Sequence, residues 1–302
     1  MRPAHRNALL LLHFTILIWG FTGILGKWIQ LPASHIVLQR VIIGLTGLLG
    51  YALITRTPLD PRVPGMRNYL LTGLLIAAHW ITFYGSIKMS SASIAAACLS
   101  TSTLFTALLE PFWFKRKVLV YEVVLGAVVI AALLLIFGLE TRYRSGIVVA
   151  VVSAFLSAWF NIINGVLVKR DNAVRIGFYE MLAVMAVMYI WTLAEGHLPQ
   201  PLWLLPARDA WGLLALGLVC TTFAFISGIA VMEQLTPFTV MLAVNLEPVY
   251  TILIALYLWP DTERLRPGSY IGIGLVLACL FVNGWLQRRD RQRADGAVVL
   301  TE

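Results

Sequence analysis

The segment that decides the fold is Asn7–Lys27, NALLLLHFTILIWGFTGILGK, an apolar run closed by a lysine and preceded by Arg2 and Arg6. A helix crossing the ~30 Å hydrocarbon layer needs about twenty such residues and satisfies its backbone hydrogen bonds internally. Similar runs recur along the chain, at 34–54, 67–87, 93–114, 119–138, 146–168, 176–194, 211–232, 236–258 and 267–286. With 59% apolar and 13% charged residues among 302, the chain has too much apolar surface for a soluble core of its size. These runs predict an all-α integral membrane protein of ten spans. Their connections are too short to fold independently. The longest, Glu195 to Ala210, carries three prolines and reads as a surface loop.

Basic residues set the expected orientation. If the N-terminus is inside, inner segments hold 15 lysines and arginines and outer segments hold 7, which places both termini in the cytoplasm. The formal net charge of +8 is accounted for by these inner loops and the tail, so nucleic acid is not an expected partner. Cys98, Cys220 and Cys279 all fall within spans and show no metal-ligand spacing. Neither a metal nor a cofactor is expected. The short basic start invites comparison with a signal peptide, but the length of the first span and its Lys27 end argue for a retained helix.

Shifted by 140–145 residues, the chain partly overlays itself: Trp19 falls on Trp159, Arg40 on Glu180, Ser91 on Thr236, Phe105 on Tyr250 and Thr106 on Thr251. Five spans per copy make the second copy enter the bilayer from the opposite side. Inverted repeats are a transporter signature, because two opposed and nearly equal halves support two nearly equal conformations around a midplane site. The expected units are residues 1–138, 146–286 and a cytoplasmic tail, 287–302.

The motif Trp19-Gly20-Phe21-Thr22-Gly23-Ile24-Leu25-Gly26-Lys27, with Arg40, Ser90-Ser91-Ala92 and Pro248-Val249, resembles the EamA family of the drug/metabolite transporter superfamily. The resemblance covers residues 8–286. It implies two inverted five-helix units around a central cavity lined by spans one, three, four, six, eight and nine. It also implies a secondary transporter in a cell membrane, the bacterial inner membrane being the expected one. Its commonest role is export of amino acids or related small metabolites by alternating access. Organic cations or drugs as cargo, and passive facilitation, stay open. Lys115-Arg116-Lys117 replaces the Gly-Glu ending usual in span four.

Several residues are candidates for the site. Glu247 lies eleven residues into span nine, near mid-depth, where a carboxyl usually faces a cavity, a partner or a proton path. Pro248 beside it lacks an amide hydrogen and is the candidate gating residue; Asn245 adds an amide. His79 is the second proton-coupling candidate, with Trp80 and Tyr84 following it in span three. Each acid or imidazole has an alternative reading as a hydrogen-bonded structural group. Trp19, Trp80 and Trp159 lie deep within spans and suit either a ligand wall or packing. The other seven tryptophans fall near span ends or in a loop, as an interfacial belt does.

Ser100-Thr101-Ser102-Thr103 crosses the middle of span four. With Thr221, Thr222, Asn161 and Asn164 it forms a polar set able to wet a cavity; Ser102 and Asn161 are its substrate-binding candidates. Arg40, six residues from a span end, reads either as a cation snorkelling outward, the reading preferred, or as a carboxylate clamp. Gly44, Gly47, Gly50, Gly268, Gly272 and Gly274 permit close helix approach within a monomer or in a homodimer, and the sequence does not choose. An intramembrane enzyme or a sensor is the competing class. No H-E-x-x-H, G-x-S-x-G or P-loop motif is present, so no enzymatic activity is expected.

Overall fold

Helices account for 86% of the computed structural model, which describes residues 3–114, 120–196, 200–235, 240, 243–244 and 246–299. The first half holds α1 (Pro3–Trp28), α2 (Ala33–Ile54), α3 (Met66–Met89), α4 (Ala92–Leu99), α5 (Ser102–Phe114) and α6 (Val120–Leu139). The second holds α7 (Arg144–Leu167), α8 (Ala173–Ala194), α9 (Ala207–Leu214), a π-helical stretch Ala215–Phe223 and α10 (Ala224–Ala230). It continues with α11 (Leu246–Leu258), α12 (Pro260–Glu263) and α13 (Pro267–Val299). Among the described residues eight segments are long and apolar enough to cross a membrane, and shorter apolar helices at Val124–Ile136 and Leu246–Leu258 occupy the positions of spans five and nine. This is the expected ten-helix membrane architecture in two five-helix repeats.

Local chemistry explains the boundaries. Asn172 caps α8 by accepting from the Val174 amide at 2.8 Å, and Ser91 caps α4 by accepting from Ile94 at 3.2 Å. At the other end of α8, Gly196 takes φ of +76° and its amide reaches the Leu193 carbonyl at 3.0 Å. Arg56 performs the same reversal after α2 with φ of +52°, which is costly for a residue with a Cβ.

Two spans are interrupted where hydroxyls compete for backbone carbonyls. In span four, Ser100 and Thr101 donate to the Ala97 and Cys98 carbonyls, both at 2.6 Å, and the helix turns before α5 begins. In span eight, Thr221 and Thr222 donate to the carbonyls five residues earlier, Leu216 at 2.8 Å and Gly217 at 3.1 Å. That spacing matches the wider π turn.

Contacts at the helix ends show that the repeats are inverted. A Cβ on Gly146, at the start of α7, would lie 2.6 Å from the Ser90 Cβ at the end of α3. The second repeat therefore starts on the face where α1 and α3 finish, opposite the N-terminal face. On that same opposite face Lys27 pairs with Glu263 at 2.6 Å, Gln30 N–H meets Asp209 at 3.0 Å and Ser34 meets Glu195 at 2.8 Å. On the N-terminal face the Tyr69 hydroxyl donates to Asp171 at 2.6 Å.

Glycines in the described helices mediate packing within the chain. Gly44 and Gly47 of α2 fit against Thr221 and Thr222, and Gly268 and Gly272 of α13 fit against Leu139 and Ile136. Gly50 and Gly274 have open space beside them. Spans five and ten thus form a pair beside the main bundle, which leaves α1, α3, α4, α5, α7, α10 and α11 to build the centre.

Candidate functional site

A cavity of about 90 Å³, counted as the space open to the centre of a water molecule, lies at that centre. Its wall draws on spans one, three, four, six, eight and nine, with Arg40 added from span two. Five aromatic rings stand in it: Trp19 from α1, Trp80 and Phe83 from α3, Phe160 from α7 and Phe225 from α10. The polar groups come from several helices. They include Thr22, Arg40, His79, Ser102, Ser157, Asn161, Asn164 and Glu247. An apolar pocket with a few convergent polar groups is the usual form of a small-molecule site.

Arg40 departs from the snorkelling expected of it. It is 3% exposed and turns into the bundle. Its Nε and Nη2 donate to Thr221 Oγ1 at 3.0 and 2.8 Å, and its Nη1 donates to the Tyr84 hydroxyl at 2.6 Å. The guanidinium carbon stacks 4.0 Å from the centre of the Trp80 ring. Inward orientation follows from these partners, because the π turn carries the Thr221 hydroxyl that accepts from the guanidinium. The partners are all neutral, and no carboxylate pairs with Arg40 among the described residues. Part of the fork's donor set remains for the cavity.

Glu247 stands at the start of α11, buried, in the wall of the same cavity as Arg40. No ion pair joins the two among the described residues, so a cation and an acid share one small chamber without neutralising each other directly. The position of α11 is fixed by close contact with α1. A Cβ on Gly20 would lie 2.9 Å from the Tyr250 Cβ, and Thr251 Oγ1 donates to the Gly20 carbonyl at 2.8 Å. The W-G pair of the first span therefore serves two ends: Trp19 faces the cavity while Gly20 lets α11 approach.

His79 has its ring fixed from behind. Nδ1 is 2.9 Å from the Ser153 carbonyl and 2.8 Å from the Ser153 hydroxyl, which itself donates to the His79 carbonyl at 3.0 Å. A carbonyl only accepts, so Nδ1 carries the hydrogen and Nε2 of the neutral ring is the acceptor. Phe83 stacks on the imidazole at 6.1 Å and Phe160 tilts against it at 5.4 Å.

Of the residues singled out in the sequence, Trp19, His79, Trp80, Ser102, Asn161 and Glu247 line the cavity together. Tyr84 is fully buried behind it and acts on the wall through Arg40. Trp159 lies outside the wall, edge-on to Phe155 at 5.8 Å and Trp113 at 6.5 Å. The helical phase of α7 turns Phe160, Asn161 and Asn164 to the centre and leaves Trp159 in the packing position that was its other reading. Pro248 is buried beside Glu247, and Asn245 lies outside the described residues. Thr222 shares its hydroxyl hydrogen between the Gly217 carbonyl and the Gly44 carbonyl, the latter at 3.0 Å, and stands outside the cavity wall. Arg40, Phe160 and Phe225 also stand in the wall. Only Arg40 had a sequence signal, as a lone cation inside a span.

An inverted-repeat membrane bundle with a polar site at its middle defines a solute transporter by architecture. The family of EamA-like transporters matches residues 6–138 and 144–285, one copy for each repeat, and the chain belongs to that family. The uncharacterized transporter YoaV of Bacillus subtilis (strain 168) is 21% identical over 277 residues, covering 88% of this chain and 93% of that one. A solved crystal structure overlays 93% of this chain and 99% of its own with a TM-score of 0.69 at 17% identity, a likeness of fold.

Proposed function

We propose that this EamA-type transporter carries small zwitterions, α-amino acids and close relatives, by alternating access, with export as the working direction. One observation carries the reading: Arg40, with no carboxylate partner among the described residues, shares a single aromatic-lined cavity with Glu247. A guanidinium fork suits a substrate carboxylate, and an acid across the chamber suits the ammonium. Trp19, Trp80, Phe160 and Phe225 would receive an apolar or aromatic side chain. Simple organic cations fit less well, because Arg40 places a fixed positive charge in the wall.

Glu247 and His79 are the groups proposed to couple transport to protons, and Pro248 the point about which α11 gates. The excess of basic residues on the N-terminal face supports cytoplasmic termini in a bacterial inner membrane. The experiment is counterflow of labelled amino acids in proteoliposomes of the full chain. Uptake against excess internal unlabelled amino acid, lost in Arg40→Met, supports the reading. Counterflow of a quaternary amine, with none of any amino acid, would replace it with the organic-cation reading.

A further inference from the structure

An unexplained polar pair lies directly behind the cavity wall. Glu180, about two turns into α8, is fully buried. Its Oε2 accepts from Asn164 Nδ2 over a long 3.4 Å, while Oε1 has no hydrogen-bond partner. Asn164 Oδ1 is likewise buried without a partner, although Asn164 lines the cavity. Two orphaned acceptors in one contacting pair lack the same thing, a hydrogen. Leaving such groups unpaired in an apolar interior is costly, and more so when one carries a charge.

Among the described residues the packing around the pair supplies no cation. A Cβ on Gly73 of α3 would lie 2.6 Å from the Glu180 carbonyl oxygen, so α3 and α8 meet backbone to backbone there. The titratable groups that α3 carries are Arg67, Tyr69, His79, Tyr84 and Lys88, and those on α2 are His35, Arg40 and Tyr51. The stretch of α10 has none, and α8 itself adds Arg175, Tyr179 and Tyr189. The nearer ones are otherwise engaged. Arg175 pairs with Asp171 at 2.9 Å, Tyr69 donates to Asp171, Tyr179 donates to the Leu59 carbonyl, and Arg40 is held by Thr221 and Tyr84. Glu180 also occupies the place in the second repeat that Arg40 holds in the first, so a fixed charge in one half answers a titratable group in the other.

We infer that Glu180 and Asn164 form a proton-binding site loaded from the cavity. A proton from cavity water passes to Glu180 Oε1, which then donates to Asn164 Oδ1 while Asn164 Nδ2 keeps its bond to Oε2. Loading satisfies both orphaned acceptors and removes the buried charge. Release returns the proton to water once movement of α7 against α8 admits solvent to the pair. As a driver of solute movement the site rests on the transport reading above, but proton binding itself is independent of any substrate.

The test is infrared difference spectroscopy of the full chain in lipid nanodiscs, titrated in H₂O and in D₂O without added solute. A protonated-carboxyl C=O band that titrates, is absent in Glu180→Gln, persists in Glu247→Gln and moves to higher frequency in Asn164→Leu supports the site. If Glu180→Gln fails to fold, Glu180→Asp must shift the same band. A band unchanged by either Glu180 variant, or one that never titrates, overturns the inference. Failure of amino-acid counterflow with the band intact would leave the proton site standing and refute only the cargo assignment.

Discussion

Replacing Arg40 by Lys keeps a positive charge at the cavity but removes its planar fork. The structure gives the guanidinium three hydrogen bonds and a stack on Trp80 at 4.0 Å. A lysine ammonium can hold Thr221 or Tyr84, but it cannot stack flat on the indole or meet a carboxylate with two parallel bonds. A hydrogen bond involving a charged group is worth about 1.5–3 kcal/mol, so losing one to the substrate weakens binding roughly ten- to a hundredfold. Stability should fall less than in Arg40→Ala, which strands Thr221 and Tyr84 without their donor. Calorimetric titration of an amino acid into nanodisc-embedded protein reads the affinity, and thermal unfolding monitored in parallel reads the fold. If Arg40→Lys binds the amino acid within threefold of wild type, the carboxylate clamp is wrong.

Other perturbations test the scaffold. Gly26→Ala places a Cβ 2.6 Å from the rigid Tyr84 ring, so thermal unfolding should show a loss of about 1–3 kcal/mol. Trp80→Leu should weaken solute binding more than it lowers stability, whereas Trp159→Leu should lower stability and leave affinity unchanged, because only Trp80 touches Arg40. Arg56→Gly relieves a left-handed residue and should raise stability by about 1 kcal/mol in the same unfolding assay. Glu263→Gln weakens the bond to Lys27 and the acceptor for the Ala92 and Ser93 amides, so a cavity cysteine should label faster from the face opposite the N-terminus.

The membrane spans were legible because bilayer insertion writes itself into composition: about twenty apolar residues per crossing, repeated along the chain. The repeat was visible as Arg40 over Glu180 and Thr106 over Thr251. Buried polar residues such as Glu247 and His79 stood out because a membrane interior tolerates few of them. What escaped depends on phase and on tertiary partners. Trp159 and Phe160 are adjacent, so only the helix rotation decides which one meets the cavity. The inward turn of Arg40 depends on a π turn in a helix remote in sequence, and no local pattern near Arg40 encodes it. The hydroxyl run of span four suits either a wetted surface or back-bonding, and Ser102 lines the cavity. Its first members break the helix by bonding backward at Ala97 and Cys98, and no local pattern says which members do which.

The pairing of Arg40 and Glu247 in one chamber is the centre of this account, and a matched series of ligands tests it most directly. Binding to wild-type protein would be measured by calorimetry for an aromatic α-amino acid, its decarboxylated amine and its deaminated acid. Both truncated ligands should bind at least about tenfold more weakly, each lacking one charge-assisted contact. Arg40→Met should erase the advantage over the amine, and Glu247→Gln the advantage over the acid. Equal affinity of wild type for the amino acid and its amine would contradict the account.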